Sequence, residues 1–334
     1  MNETMRAVAH RHPGGADVFE DVELPVPAAG PKDLVVAVRA VSVNPVDLEA
    51  RTGNDPAGEA HVLGYDAAGV VTGVGAEVEM FVPGDEVFYS GSIARAGTDA
   101  QVHVVDERIV GPKPRTLSFA EAAALPLTTI VAWETLFDRF GVDADSTGTL
   151  VVVGAAGGAG SMVIQLARAL TGLTVIGTAS RPESQRWARD LGAHYVVDHS
   201  GDLAEAVAAV APDGVDLVSS PRTGGMIETY ERMLRPGGAI CAIDEPEGLE
   251  LLPLKNKSIT FHWELMFTRP LYGSEDMVVQ HNLLETVAGL VDAGTLRTTL
   301  TRELGPLDAS TLRQAHELVE AGHMVGKVVL TVES

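Results

Sequence analysis

A run of glycines is where the chemistry of this chain starts. Val151-Val152-Val153-Gly154-Ala155-Ala156-Gly157-Gly158-Ala159-Gly160 leads from an all-apolar stretch into four glycines, and Met162 to Leu170 beyond it has helical apolar spacing. A strand that turns through glycines into a helix lets backbone approach a pyrophosphate closely, and the helix N-terminus offers unpaired N–H groups to the phosphate charge. Counted from Gly158, the last position of the usual G-x-G-x-x-G/A pattern is Val163. The literal pattern is therefore incomplete, and the strand and helix around the loop carry the reading. About 20 residues beyond such a loop, sites that prefer NAD keep a carboxylate for the ribose 2′-hydroxyl. Ser180-Arg181 stand there instead. A hydroxyl and a guanidinium suit a 2′-phosphate, so the expected cofactor is NADPH.

Metal and thiol chemistry find little material. Cys241 is the only cysteine, which excludes an internal disulfide and any cysteine-rich zinc site. No Ser/His/Asp or Cys/His constellation stands out. That suits hydride transfer, in which the protein chiefly orients the reactants and the proton can come from solvent.

The elements that must position these residues fall into two groups. Up to about Ser118 the chain reads as short β segments between Gly, Pro and Asp clusters: Leu34 to Val43, Ala67 to Val74, Asp85 to Tyr89 and Gln101 to Val105. Ala-rich helical stretches follow at Ser118 to Leu125 and Ile130 to Phe140. Strands are then expected at Thr149 to Val153, Leu173 to Thr178, Tyr195 to Val197, Val215 to Val218, Gly238 to Ile243 and Ser258 to His262, with helices between them. Six strands with helical crossovers predict an α/β fold with a doubly wound parallel sheet. Helices at Asn282 to Ala293 and Leu312 to Glu320 and a strand at Lys327 to Val332 return to the first group. The boundaries expected are 1–124 with 265–334 for a β-rich domain, and 125–264 for the dinucleotide-binding domain.

A chain of 334 residues favours two domains over one core. With 24 Lys and Arg against 46 Asp and Glu, the net charge of −22 repels nucleic acid and anionic lipid, and no basic run overrides it. Neither is expected as a partner. Met1 to Glu20 lacks an apolar stretch long enough for a signal peptide and no later segment reads as a membrane span, so a cytoplasmic protein is expected.

Several segments resemble the medium-chain dehydrogenase/reductase superfamily, specifically its zinc-independent quinone oxidoreductase branch. They are Ser42-Val43-Asn44-Pro45-Val46-Asp47, Leu63-Gly64-Tyr65-Asp66-Ala67-Ala68-Gly69, Leu125-Pro126-Leu127-Thr128-Thr129, the glycine loop, Met266-Phe267-Thr268-Arg269-Pro270 and Gly326-Lys327-Val328-Val329-Leu330. The resemblance implies a Rossmann domain beside a GroES-like β-rich domain. Zinc members carry Cys at the position of Asn44 and Gly-His-Glu at Gly64-Tyr65-Asp66. An amide and a phenol are poor zinc ligands, so no metal is expected.

The resemblance also implies roles. Gly157, Gly158, Ala159 and Gly160 go to the pyrophosphate, Ser180 and Arg181 to the 2′-phosphate, and His199 to the adenosine side. Ile243 and Asp244 go to the nicotinamide side, and Thr129, Thr268 and Lys327 to the cofactor from flanking segments. Asn44 is placed at the nicotinamide end, where Asn44, Tyr65 or water meets the charge developing on the acceptor oxygen. Asp66 reads as structural. Glu49 and Asp55 occupy positions that hold tyrosines in some bacterial members. The implied reaction is hydride transfer from NADPH to a quinone in the cleft between the domains. Reduction of an activated alkene is the alternative, and a non-catalytic NADPH-binding protein is the reading from another class. A homodimer joined along the strand near Ser258 to His262 is expected, because an open sheet edge invites pairing.

Overall fold

A computed structural model describes residues 4–333. The chain divides into two compact units, one formed by the residues up to Leu127 together with those from Phe267 onward, the other by Thr128–Met266.

The second unit is built on six parallel strands in the order Tyr195–Val197, Gly172–Thr178, Thr147–Val152, Val215–Ser220, Leu234–Ala242, Thr260–Trp263. Numbered along the chain this is 3-2-1-4-5-6, the doubly wound dinucleotide-binding order. The strands are apolar because both faces of a parallel sheet are covered. One core contains Val151, Ile176, Val218 and Ile240 from the strands with Leu203, Val207, Ile227 and Met233 from the helices. Each such side chain contributes about 1.5–3 kcal/mol through burial. Thr260–Trp263 forms one edge of the sheet, and Trp263 there is 51% exposed.

The first unit is antiparallel around Asp33–Ser42, which pairs with Asp66–Val74, with Val102–Asp106 and with the last strand, Lys327–Thr331. Glu86–Ser90 and Val110–Pro112 extend the sheet beyond Asp66–Val74, and Leu300–Pro306 pairs parallel to Lys327–Thr331. A smaller sheet joins Thr4–His10 to Glu20–Pro25 and His61–Val62. No helix among the described residues is long and apolar enough to cross a membrane.

Several elements differ from the sequence expectation for identifiable reasons. A helix that the sequence reading did not place, Pro45–Gly53, starts at Pro45, where the missing N–H costs nothing. The largely exposed strands Glu20–Pro25 and Leu300–Pro306 carry too many polar residues to read as apolar runs, and in the buried strand Thr4–His10 Arg6 and His10 interrupt the run. Finally, the helix expected over Ile130 to Phe140 is α-helical at Pro126–Trp133 and π-helical at Glu134–Arg139, with the Phe140 N–H reaching the Thr135 carbonyl at 3.1 Å.

Candidate functional site

In the parallel-sheet unit, the singled-out residues gather beyond the carboxyl ends of the strands. Gly154 to Gly157 follow Thr147–Val152, Ser180-Arg181 follow Gly172–Thr178, His199 follows Tyr195–Val197, and Ile243-Asp244 follow Leu234–Ala242. This is where open α/β sheets bind nucleotides. Gly154 turns the chain at φ +67°, a left-handed conformation that favours glycine. Gly157 begins the helix Gly158–Leu170 without a side-chain cap, so the N–H groups of Gly158, Ala159 and Gly160 have no partner within the helix. A Cβ on Gly160 would lie 2.5 Å from the Gly154 carbonyl oxygen. That glycine therefore lets the helix seat directly on the turn.

Thr178, which sequence reasoning passed over, ties the loop to its neighbours. Its Oγ1 accepts the Gly154 N–H at 3.1 Å and lies 3.1 Å from Nδ1 of the exposed His199. The signal was a polar residue ending an apolar strand just before Ser180. Half-buried Arg181 caps the helix Pro182–Asp190, its main-chain N–H donating to Ser184 Oγ at 3.3 Å. Asp244 is committed within the protein, accepting from the Thr223 N–H at 2.6 Å and from the Thr223 hydroxyl at 2.8 Å. It braces the loops after the fourth and fifth strands. Thr129 is fully buried with no hydrogen-bond partner at Oγ1. An uncapped helix start, a glycine cradle and a buried hydroxyl without a partner are features that suit a bound dinucleotide.

In the β-rich unit, strand register assembles a second constellation. Ser42 pairs with Asp66 on one side and with Val329 on the other. Continuing that antiparallel register brings Lys327 opposite Asn44, with the Val43 N–H on the Val328 carbonyl. Lys327 Nζ donates to Asn44 Oδ1 at 2.5 Å and to the Val43 carbonyl at 2.8 Å, and lies 3.4 Å from Asp66. Asn44 Nδ2 donates to Asp66 Oδ2 at 2.8 Å, as does the Ser42 hydroxyl, while Asp66 Oδ1 accepts the Leu127 N–H at 2.7 Å. Asn44, Asp66 and Lys327 are all buried. Burial pulls the Lys327 ammonium below its usual range, against the opposing charges of Asp66 and Asp47.

Beside this triad lie Tyr65, Asp47 and Asp99. The Tyr65 ring packs edge-on against Phe267 with centroids 5.3 Å apart, and burial with the charges of Asp47 and Asp99 pushes its hydroxyl up. Thr268 is exposed at the start of the helix Thr268–Tyr272. Phe267 belongs to this unit, whereas Phe261 and Trp263 belong to the other, where they pack edge-on at 5.0 Å. Glu49 is exposed on its helix, and Asp55 accepts the Ala57 N–H. Cys241 is buried in its strand. Among the described residues no group of three or more His, Cys, Asp or Glu side chains is arranged to hold a metal ion.

Comparison with known proteins agrees with this architecture. Residues 30–134 match the alcohol dehydrogenase GroES-like domain, and residues 191–330 match the zinc-binding dehydrogenase family. A zinc-type alcohol dehydrogenase-like protein of Staphylococcus epidermidis is 36% identical over 94% of this chain and 95% of its own. The crystal structure of a putative zinc-dependent alcohol dehydrogenase protein from Rhizobium etli superposes with a TM-score of 0.96 at 48% identity, covering both chains completely. The chloroplastic NADPH-dependent alkenal/one oxidoreductase of Arabidopsis thaliana is 27% identical over 98% of this chain and 79% of its own. With a doubly wound nucleotide-binding unit, a GroES-like unit and relatives along its length, the chain belongs to the medium-chain dehydrogenase/reductase superfamily and is an oxidoreductase that uses a nicotinamide cofactor.

Proposed function

We propose that the protein is an NADPH-dependent reductase of conjugated carbonyl compounds, a quinone in the first instance, that works without zinc. The observation that carries the zinc-free reading is the state of Asn44. Its amide is held by Lys327 on one end and Asp66 on the other, in a network that balances one ammonium against one carboxylate. A divalent cation there would face the ammonium of Lys327, an amide and a phenol, and the one carboxylate of the network, Asp66, is already taken up by Ser42, Asn44, the Leu127 N–H and Lys327. The word zinc in the names of the relatives describes those proteins. Elemental analysis finding about one zinc per chain, lost together with activity, would refute the zinc-free mechanism.

When bound, NADPH supplies a hydride from C4 of its nicotinamide. The chain's own contribution is to hold that cofactor by the glycine cradle and the 2′-phosphate by Ser180 and Arg181, and to keep water from the reacting atoms. A conjugated acceptor needs no Lewis acid at its carbonyl, because the incoming electron pair is delocalised onto oxygen. The resemblance to quinone oxidoreductases favours the quinone. The name of the Arabidopsis relative favours an enone as the second reading. NADPH oxidation measured against a quinone panel and an enone panel, beside cofactor binding alone, separates these readings. Binding without turnover on either panel would leave a nucleotide-binding protein.

The assembly proposed is a homodimer, with the strand Thr260–Trp263 pairing with its copy across the open edge. A monomeric mass by light scattering at micromolar concentration would reject it.

A further inference from the structure

The loop after the fourth strand of the parallel sheet holds one exposed arginine on a main chain that buried groups fix. We propose that Arg222 is a cofactor-binding residue, its guanidinium pairing with the diphosphate of the ADP moiety that NADH and NADPH share. This assignment rests on the nucleotide binding that the function just proposed requires, and it adds a side-chain cation that neither the glycine cradle nor Ser180-Arg181 supplies to that diphosphate.

Pro221-Arg222-Thr223 leaves the carboxyl end of the strand Val215–Ser220, and each of the three residues is held. Pro221 packs against the glycine turn, where a Cβ on Gly154 would lie 3.3 Å from Pro221 Cγ. The Arg222 N–H donates to Ser220 Oγ at 2.9 Å, and the Tyr230 hydroxyl donates to the Arg222 carbonyl at 2.5 Å, with the two hydroxyl oxygens 2.7 Å apart. Ser220 and Tyr230 are both fully buried. Thr223, buried as well, is the residue that Asp244 grips through its N–H and its hydroxyl. A surface loop ordinarily leaves much of its main chain to water. Here buried hydroxyls and a carboxylate fix the chain on both sides of a single exposed cation.

That cation is unspent. Among the described residues the exposed Arg222 guanidinium makes no hydrogen bond and no ion pair, although acids outnumber bases 46 to 24 along the chain. Its place in the sheet says which anion it suits. Val215–Ser220 lies on one side of Thr147–Val152, the strand that runs into the glycine turn, and Gly172–Thr178, which leads to Ser180-Arg181, lies on the other. Arg222 and Arg181 thus follow the two strands that flank the turn. This is the switch point of the doubly wound order, across which a dinucleotide binds. With Arg181 given to the 2′-phosphate, the charge left for the opposite flank is the diphosphate, which the fork of guanidinium N–H groups matches.

The test is equilibrium binding to the purified protein, by fluorescence for NADPH and NADH and by calorimetry for ADP-ribose. Arg222→Ala keeps the main-chain bonds to Ser220 and Tyr230. It should weaken all three ligands by the same factor, about tenfold to a hundredfold, the worth of one charge-assisted hydrogen bond. Arg222→Lys keeps the charge and should recover part of that loss. Added salt should weaken NADH binding to the parent more than to Arg222→Ala, since screening acts on the pair the variant lacks. Arg181→Ala, titrated beside them, should spare NADH and ADP-ribose. Melting temperature without ligand establishes that the variants fold. Unchanged affinities in Arg222→Ala, or a loss confined to NADPH, would overturn the assignment of Arg222 and leave the proposed function standing. A parent that binds none of the three ligands overturns the proposed function, and this inference with it.

Discussion

Replacing Lys327 by Met tests whether the ammonium belongs to the protein's own framework or to the cofactor, as the family resemblance implies. The change keeps an unbranched side chain and removes the charge. Three acceptors lose their donor: the Val43 carbonyl, Asn44 Oδ1 and Asp66. Deleting one partner of a buried ion pair costs about 3–5 kcal/mol, because the remaining charge is left uncompensated. Asp66 still accepts from Ser42, Asn44 and the Leu127 N–H, which places the loss near the lower end, about 3 kcal/mol. With a urea dependence of about 1–3 kcal/mol per molar, the midpoint should fall by about 1–3 M. Far-UV circular dichroism follows that transition. All three tryptophans, Trp133, Trp187 and Trp263, lie in the nucleotide-binding unit, so their emission shows separately whether that unit follows. An unchanged midpoint together with a tenfold or greater loss of NADPH affinity would refute the argument and give Lys327 to the cofactor.

Arg181→Ala should weaken NADPH binding by about tenfold to a hundredfold, the worth of one charge-assisted hydrogen bond, and leave NADH nearly untouched; nucleotide titration at fixed ionic strength checks it, and a parent that prefers NADH would sink the assignment. Gly160→Ala drives a methyl group into the Gly154 carbonyl, backbone that cannot yield cheaply. It should cost about 1–3 kcal/mol and reduce nucleotide affinity, measured by thermal unfolding with and without NADPH. His316 is buried against Phe19 and Arg51, and burial with the Arg51 charge holds it down to about 3. Because the folded value lies below the unfolded one, it is neutral in both states above about pH 6.5 and stability there is unaffected. As pH falls toward 3 the unfolded chain takes up a proton that the native state refuses, and up to a few kcal/mol is lost. His316→Gln should flatten that acid limb in melting temperature against pH.

The six parallel strands were legible because buried strands are nearly uninterrupted apolar runs, and Tyr195–Val197 falls on the expected residues. The glycine turn was legible because local backbone demands carry it, a positive φ at Gly154 and a close approach at Gly160. What stayed hidden depends on pairing between distant segments. Nothing in Gly326-Lys327-Val328 says that its ammonium will sit opposite Asn44, since that follows from the register of Ser42 against Val329. Asp47 drew no reading of its own, since only the packing around it leaves one of its oxygens buried and alone. Thr178 was overlooked for the opposite reason, being too common a residue at a strand end to stand out until its hydroxyl was seen on Gly154.

The π-helical turn at Glu134–Arg139 has a bearing on how the gene can change length. Arg139 donates to Glu264 at 2.9 Å and lies 3.8 Å from Glu134, two buried acids of which Glu264 is pushed up to about 9 by burial and by Glu134. Residues five apart on an α-helix point about 140° away from each other, whereas bonds that span five positions bring them to the same side. The wide turn is what lets Arg139 reach back to Glu134. Loss of a single codon between Thr135 and Asp138 would return the segment to α winding with the acid and the base four positions apart, about 40° from alignment. The pair would survive. This turn is thus a place where the reading frame can shed one residue without stranding a buried charge, and where homologues one residue shorter should align with their gap.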